Sequence, residues 1–224
     1  MAFSPASWIV DAFFVPQHPD PSAAARLERC RSFRARVLWD GGRRSEFRTQ
    51  GGSFTDAQAL DFGAWHFNAR REPAGPVLGY IRLVTPATVE RYQSREFLGV
   101  DRFSAVLEAS GVGVSGVFEH SRLVVDPAAR GLGLGAHMHA VSMAAARTLG
   151  ADAMIGITGI ADGQFRLYQR FGFDIVPDTQ AHVPHYNDDV CVIFNRTSDG
   201  ADEYEDLVER VRTGLAFRSA PAVA

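Results

Sequence analysis

The stretch RGLGLG, residues 130–135, places three glycines directly after an arginine. Glycines at the start of a helix let the backbone approach an anion, and the first N–H groups of a helix lack intrahelical partners. The stretch therefore predicts a phosphate site, with a ligand-free turn from strand to helix as the alternative. The predicted phosphate-binding residues are Arg130, Gly131, Leu132, Gly133, Leu134 and Gly135.

Three kinds of phosphate ligand can be distinguished by the residues around such a loop. A Walker loop needs a lysine after its last glycine, and none follows here. The dinucleotide fingerprint fits Gly131, Gly133 and Ala136 by spacing, but the nearest acid, Asp152, precedes the next predicted strand instead of ending it. A third kind of ligand depends on the segments that flank the loop, and it is implied by the resemblance described below.

Glu119 and Ser121 stand two residues apart in the predicted strand FEHSRLVVDP, just before the loop. Side chains two apart on a strand share a face. A carboxylate on that face can accept a proton from an attacking amine, directly or through water, which makes these two residues catalytic candidates. The alternative is a surface-facing glutamate beside a structural Arg122.

The elements that must position these groups alternate between strands and helices. Strand and turn patterns predict a hairpin first, and the later strand–helix–strand units imply parallel neighbours. This order predicts an α/β (α+β) fold, with a mixed central sheet of about six to seven strands and helices on both faces. We expect a single domain, 1–224, with its core at about 23–196. The domain also contains an insertion at 85–117 and a C-terminal helical extension at 200–224.

Composition excludes several classes of function. The 224 residues carry a net charge of −3, which gives no basic field for nucleic acid. Two cysteines and scattered histidines do not form a metal-ligand pattern, so we expect no metal. No apolar run approaches the roughly 20 residues of a membrane-spanning helix, and the N-terminus lacks the pattern of a signal peptide. The sequence predicts a cytoplasmic protein.

The block from 119 to 173 resembles the GNAT acyltransferase superfamily. Arg130, Gly133 and Gly135 match its acyl-CoA loop, Arg/Gln-x-x-Gly-x-Gly/Ala, while SRLVVDP before the loop and LYQRFGF after it match the flanking strand and helix. The resemblance implies that acyl-CoA or acetyl-CoA is a co-substrate, with its pyrophosphate on the loop. It also implies that Tyr168 protonates the leaving thiolate. Ala161 departs from the pattern, because many relatives have an asparagine there.

The same resemblance implies a bulge where the strand before the loop leaves its parallel neighbour. The pantetheine arm would pair with the backbone at this strand end, and an N–H there would stabilise the oxyanion of the tetrahedral intermediate. The residues implied in this role are Leu123, Val124 and Val125.

The strand FEHSR is similar to the E-x-S-R strand of a narrower branch, the acyl-homoserine lactone synthases and the related N-acyl amino acid synthases. SFRARVLWDGG, LDFGAWHF and LGYIRLV resemble further segments of that branch. The substrate-binding residues that these matches imply are Arg34, Asp61, Arg82 and Arg122. The insertion would shape an acyl-chain pocket with Phe97, Leu98, Phe103, Val106 and Leu107.

The resemblance implies an N-acyltransferase that moves an acyl group from acyl-CoA, or from the phosphopantetheine of an acyl carrier protein, to a small-molecule primary amine. An N-acyl amino acid synthase is the preferred interpretation. An ordinary N-acetyltransferase that uses acetyl-CoA and a non-catalytic acyl-CoA sensor are the alternatives. A homodimer is a further expectation, because the amphipathic C-terminal helix could cover a partner.

Overall fold

The computed structural model describes residues 8–42, 44–160, 163–184 and 188–214. Its strands are β1 (Ile9–Val15), β2 (Ala64–Arg70), β3 (Gly79–Val84), β4 (Val117–Val125), β5 (Ala153–Gly159), β6 (Asp174–Ile175), β7 (Ala181–Val183) and β8 (Asp188–Arg196). Its α-helices are α1 (Pro21–Asp40), α2 (Gln93–Leu98), α3 (Val100–Ala109), α4 (Leu134–Thr148), α5 (Gln164–Gln169) and α6 (Glu205–Gly214). Ala161 and the end of the predicted C-terminal extension, 215–224, lie outside the described residues.

The strands form one mixed sheet in the order β1-β2-β3-β4-β5-β8-β6, and β7 also pairs with β8. β4 and β5 are parallel, with Val117 opposite Ala153, whereas β1–β2 and β5–β8 are antiparallel. The predicted fold class is therefore confirmed. The sheet has eight strands, compared with the predicted six to seven, and β1 and the short β6 and β7 are the strands that no sequence pattern indicated.

The chain divides into two compact units. Of the described residues, 8–82 and 122–139 belong to the first unit. Helix α1 starts there with Pro21 in its first turn, where proline needs no N–H partner, and the Asp20 side chain caps the N–H of Ala23 at 2.8 Å. The core of this unit comprises Phe13, Val15, Leu27, Cys30, Phe33, Val37, Tyr80 and Val124.

The second unit contains the described residues 83–121 and 140–214. The predicted insertion folds here into α2 and α3, and α3 buries Phe103 and Leu107. Arg147 of α4 binds both carboxylate oxygens of Glu205, at 2.6 and 2.9 Å, and thereby fastens α6. No helix among the described residues is both long and apolar enough to cross a membrane.

Candidate functional site

The glycine loop lies between β4 and α4 in the first unit. Gly131 and Gly133 have φ angles of +74° and +77°, a conformation that other residues rarely adopt, and both are exposed. Helix α4 begins at Leu134, whose side chain is buried. The predicted loop thus presents exposed backbone at the start of a 15-residue helix, the arrangement that favours an anion.

Strand β4 changes direction at Arg122, where the resemblance implies a bulge. Arg122 has a φ of +59°, which costs a non-glycine residue about 1–2 kcal/mol. Its Nε donates to Asp56 Oδ2 at 3.0 Å. Among the described residues, its two terminal nitrogens have no recorded hydrogen-bond partner. The two terminal nitrogens of the Arg122 guanidinium, carried by this strained backbone, can therefore donate hydrogen bonds to a ligand.

Asp61 is the centre of a buried charge cluster in the first unit. Its Oδ1 accepts hydrogen bonds from Arg34 at 2.8 Å and from Arg82 at 2.7 Å, and its Oδ2 accepts one from Arg31 at 2.8 Å. The side chains of Asp61, Arg34 and Arg82 are completely buried. Burial alone would raise the pKa of Asp61, but Arg34 and Arg82 hold it far below its usual value.

Asp56 is a second buried carboxylate that the sequence analysis missed. Arg34 Nε lies 3.0 Å from its Oδ2, the atom that also binds Arg122. Burial alone would raise the pKa of Asp56, but Arg34 and Arg122 lower it. The only sign of Asp56 in the sequence is that an acidic residue stands five positions before Asp61. The segment around it has no regular secondary structure. The structure thus brings together all four predicted substrate-binding residues, Arg34, Asp61, Arg82 and Arg122.

Hydrogen bonds that link Asp61, His66, Tyr80 and Arg34 determine the tautomer of His66. His66 Nε2 lies 2.9 Å from the carbonyl oxygen of Asp61, so this nitrogen carries the proton. Its Nδ1 must then accept from the Tyr80 hydroxyl at 2.7 Å, while the Tyr80 oxygen accepts from Arg34 at 2.9 Å. Complete burial lowers the pKa of His66 to about 3, so the ring is neutral at physiological pH.

In the second unit, Glu119 holds the start of α2. Its Oε2 accepts from the backbone N–H of Ser94 at 2.8 Å and from the Ser94 hydroxyl at 2.6 Å, and its Oε1 accepts from Gln93 N at 3.2 Å. The carboxylate is 1% exposed, whereas Ser121 is half-buried. Glu119 therefore caps a helix in addition to its predicted role as a base.

Tyr168 lies near the end of α5, on the other side of β4 from Glu119. It is buried, and the edge of its ring packs against His120 at 5.1 Å between ring centroids. His120 follows Glu119 in β4, and strand alternation points it to the opposite face. The predicted acid and the predicted base thus lie on opposite faces of one strand.

Two comparisons with known proteins find nothing: no protein-family model and no curated protein matches the chain. Solved structures do match. MesI, a CoA-dependent acyl-homoserine lactone synthase, is 14% identical with a TM-score of 0.60 over 93% of this chain and 96% of MesI. BjaI, another such synthase, solved with SAM and isopentyl-CoA, is 15% identical with a TM-score of 0.60 over 95% of this chain and 92% of BjaI.

The chain has the fold of the acyl-homoserine lactone synthases. An acyl-CoA N-acyltransferase from Pseudomonas aeruginosa shares it more distantly, with 18% identity and a TM-score of 0.54 over 84% of this chain and 99% of that one. The resemblance predicted from the sequence is thus confirmed as a likeness of fold. At these identities the likeness does not extend to activity, which has to be argued from the site.

Within this lactone-synthase fold, the insertion carries a cavity of about 460 Å³ in the second unit. Phe103 and Leu107, two of the five predicted pocket residues, line it, and Arg95 and Glu108 add charges. The volume lies within the roughly 300–1,000 Å³ typical of small-molecule sites. The other lining residues are Val89, Ser104, Val112 and Val114.

The two buried neutral histidines predict a pH-dependent stability. Burial lowers the pKa of His66 and of His120 to about 3, so the unfolded chain binds more protons than the folded one between about pH 6.5 and pH 3. Their contribution is fully present above pH 6.5 and is lost as the pH falls. Each histidine should decrease the free energy of unfolding by about 1.4 kcal/mol per pH unit in that window.

Urea unfolding of the wild type and of His120→Leu at pH 7.5, 6 and 5 measures this effect. The variant should lose stability with falling pH less steeply, by about one proton's slope. Equal slopes for the two proteins would show that His120 is not held neutral in the folded state.

Proposed function

We propose that this protein is an N-acyltransferase that moves an acyl group from acyl-CoA to the primary amine of an amino-acid-like acceptor. The glycine loop is the observation that carries the proposal. Exposed backbone with two left-handed glycines precedes α4, and a short helical turn at Pro127–Ala129 joins it to a strand that contains a left-handed residue. Such a site suits the pyrophosphate of coenzyme A, and the fold is that of two CoA-dependent synthases.

The donor would be held mainly by backbone groups. The N–H groups of residues 130–135 would bind the pyrophosphate, and the strand end Leu123–Val125 would pair with the pantetheine arm. The abundance of glycine in the loop favours CoA, whose pyrophosphate needs this space, over the phosphopantetheine of a carrier protein. Arg130 is exposed beside the loop and adds a positive charge for the phosphates.

The charge cluster supports an acceptor that carries a carboxylate. In the part of the chain that the structure describes, four arginines, Arg31, Arg34, Arg82 and Arg122, surround two buried carboxylates, Asp56 and Asp61, and the exposed Glu28 binds Arg31. The net positive charge of this cluster favours the binding of an anion. The two terminal nitrogens of the Arg122 guanidinium match the two oxygens of a carboxylate. SAM, which the BjaI structure contains, is an amine of this class.

The chemistry is a direct attack. The amine nitrogen first forms a bond to the thioester carbonyl carbon, which gives a tetrahedral oxyanion, and the C–S bond then breaks as the carbonyl reforms. Both oxygens of Glu119 already accept hydrogen bonds from the start of α2, so Glu119 would accept the proton of the amine through water. Tyr168, on the opposite face of β4, would donate its hydroxyl proton to the departing thiolate. A backbone N–H at 123–125 would stabilise the oxyanion between these events. The products are an amide and the free thiol of CoA. Ser121, which lies between Glu119 and Arg122 in the sequence, would orient the amine.

The cavity in the insertion favours an acyl chain longer than acetyl. Its wall is apolar at Phe103 and Leu107, and Arg95 on its rim follows Ser94, which binds Glu119. A chain that enters this cavity would therefore lie close to the helix that holds the proposed base. An acetyl group is too short to fill the cavity. A longer acyl chain therefore distinguishes the proposed enzyme from an ordinary N-acetyltransferase.

Thermal unfolding with CoA tests the proposal. CoA at about 100 times its Kd should raise the Tm by about 5–10 °C. In Gly133→Ala this rise should disappear, because the φ of +77° strains alanine and distorts the anion site. Gly52→Ala is the matched control: Gly52 has a φ of +80° and open space around it, so the variant should be strained similarly but keep its response to CoA.

The competing hypotheses predict other outcomes of the same assay. Stabilisation by NAD but not by CoA would contradict the proposal. CoA binding without any product, from a mixture of acyl-CoAs and amino acids analysed by mass spectrometry, would indicate a sensor. Products that carry only acetyl groups would favour the N-acetyltransferase.

A further inference from the structure

His120 forms a closed triangle of rings with Tyr168 and Phe173. Its ring centroid lies 5.1 Å from each of the other two, and these two lie 6.0 Å apart. His120 is 2% exposed, Phe173 1% and Tyr168 4%. The His120–Tyr168 and Tyr168–Phe173 pairs pack edge-on and the His120–Phe173 pair is tilted. Aromatic pairs of this kind contribute about 0.5–1.5 kcal/mol each beyond area burial, and the contribution depends on the orientation of the rings.

The backbone of β5 sets the position of the imidazole. A Cβ atom added at Gly156 would lie only 2.5 Å from His120 Nε2 and 2.8 Å from its Cδ2, so only glycine allows the ring to lie this close. β4 and β5 pair immediately before this point, with Glu119 opposite Ile155. The imidazole therefore packs against two paired strands, whose hydrogen bonds hold their backbone in place.

Tyr168, by contrast, belongs to a helix that gains little stability by itself. α5 has only six residues, and a helix of this length depends on tertiary contacts. The Tyr168 carbonyl accepts from the N–H groups of Phe171 and Phe173 at 2.9 and 3.1 Å, which holds its backbone. Packed side chains help to orient its ring, and His120 is one of them, in an edge-on pair with 5.1 Å between ring centroids.

We propose that His120 is a positioning residue for Tyr168, holding the phenol in the orientation from which its hydroxyl donates a proton to the thiolate. This inference rests on the proposed function. His120 acts by packing and not by titration, because burial keeps it neutral over the range in which an enzyme of this kind works. It also assigns a role to the residue between Glu119 and Ser121 in the E-x-S-R strand.

A double-mutant cycle tests the inference. His120→Leu retains an apolar side chain but loses the planar ring, so kcat should fall about ten- to a hundredfold, with the KM for acyl-CoA unchanged. In the Tyr168→Phe background the same change should lower kcat no further, because no hydroxyl remains to be positioned. His120→Phe restores a ring and should recover most of the activity in the Tyr168 background.

Phe194→Leu, a comparable loss of a buried ring on β8 in the same unit, is the control for general destabilisation and should leave kcat within about twofold. Equal falls in kcat for His120→Leu in both backgrounds would overturn the inference, as would no fall in either. A wild type that transfers no acyl group would instead contradict the proposed function, so the two failures are distinguishable.

Discussion

Asp61→Asn should lower the free energy of unfolding by about 3–5 kcal/mol, a large part of the 5–15 kcal/mol of a typical domain. Asp61 binds three arginines, and the side chains of Arg34 and Arg82 are completely buried. Asparagine keeps the shape of the side chain but removes its charge, so these guanidiniums would stay in the interior without their main counter-charge. Urea unfolding at pH 7.5 measures the loss.

Asp11→Asn provides the comparison. Asp11 also binds an arginine, Arg26, at 2.8 Å, but the two side chains are 43% and 34% exposed. Water screens such a pair, and its loss should cost no more than about 1 kcal/mol. Similar losses for the two variants would mean that the cluster around Asp61 is hydrated in solution and contributes no more than a surface ion pair.

Tyr168→Phe should lower kcat about 10²- to 10⁴-fold, the range expected when a general acid is removed. The ring and its contacts with His120 and Phe173 are retained, so the variant should fold normally and bind CoA as the wild type does. Steady-state kinetics with a reactive acyl-CoA, alongside thermal shift with CoA, separates loss of chemistry from loss of binding.

Tyr204→Phe removes another hydroxyl from the same unit. Tyr204 stacks on Phe171 at 4.2 Å between centroids, and its ring also lies under Arg170. This variant should retain full kcat. Unchanged kcat in Tyr168→Phe would exclude the phenol as the acid, and water would then have to protonate the thiolate.

Local patterns predicted the elements whose signals are contained in a few neighbouring residues. Gly150, with a φ of +78°, follows the end of α4 as its spacing predicted. Strand β1 was missed because Asp11 interrupts its apolar run, and only the ion pair with Arg26, 15 residues away, explains why a charge stands there. The ten-residue helix α3 was missed because glycines flank it, although it buries Phe103.

The glycine loop, the strand before it and the helix after it were determined by the sequence itself, because backbone conformation at glycine and periodicity along a helix are local properties. The tertiary structure alone decided which distant charges meet. Asp56, Asp61 and Arg122 come together across 66 residues of chain, and His120 gains its place against Tyr168 from a glycine on another strand. Such contacts depend on burial and on sheet register, which act between segments, and no short pattern in the sequence encodes them.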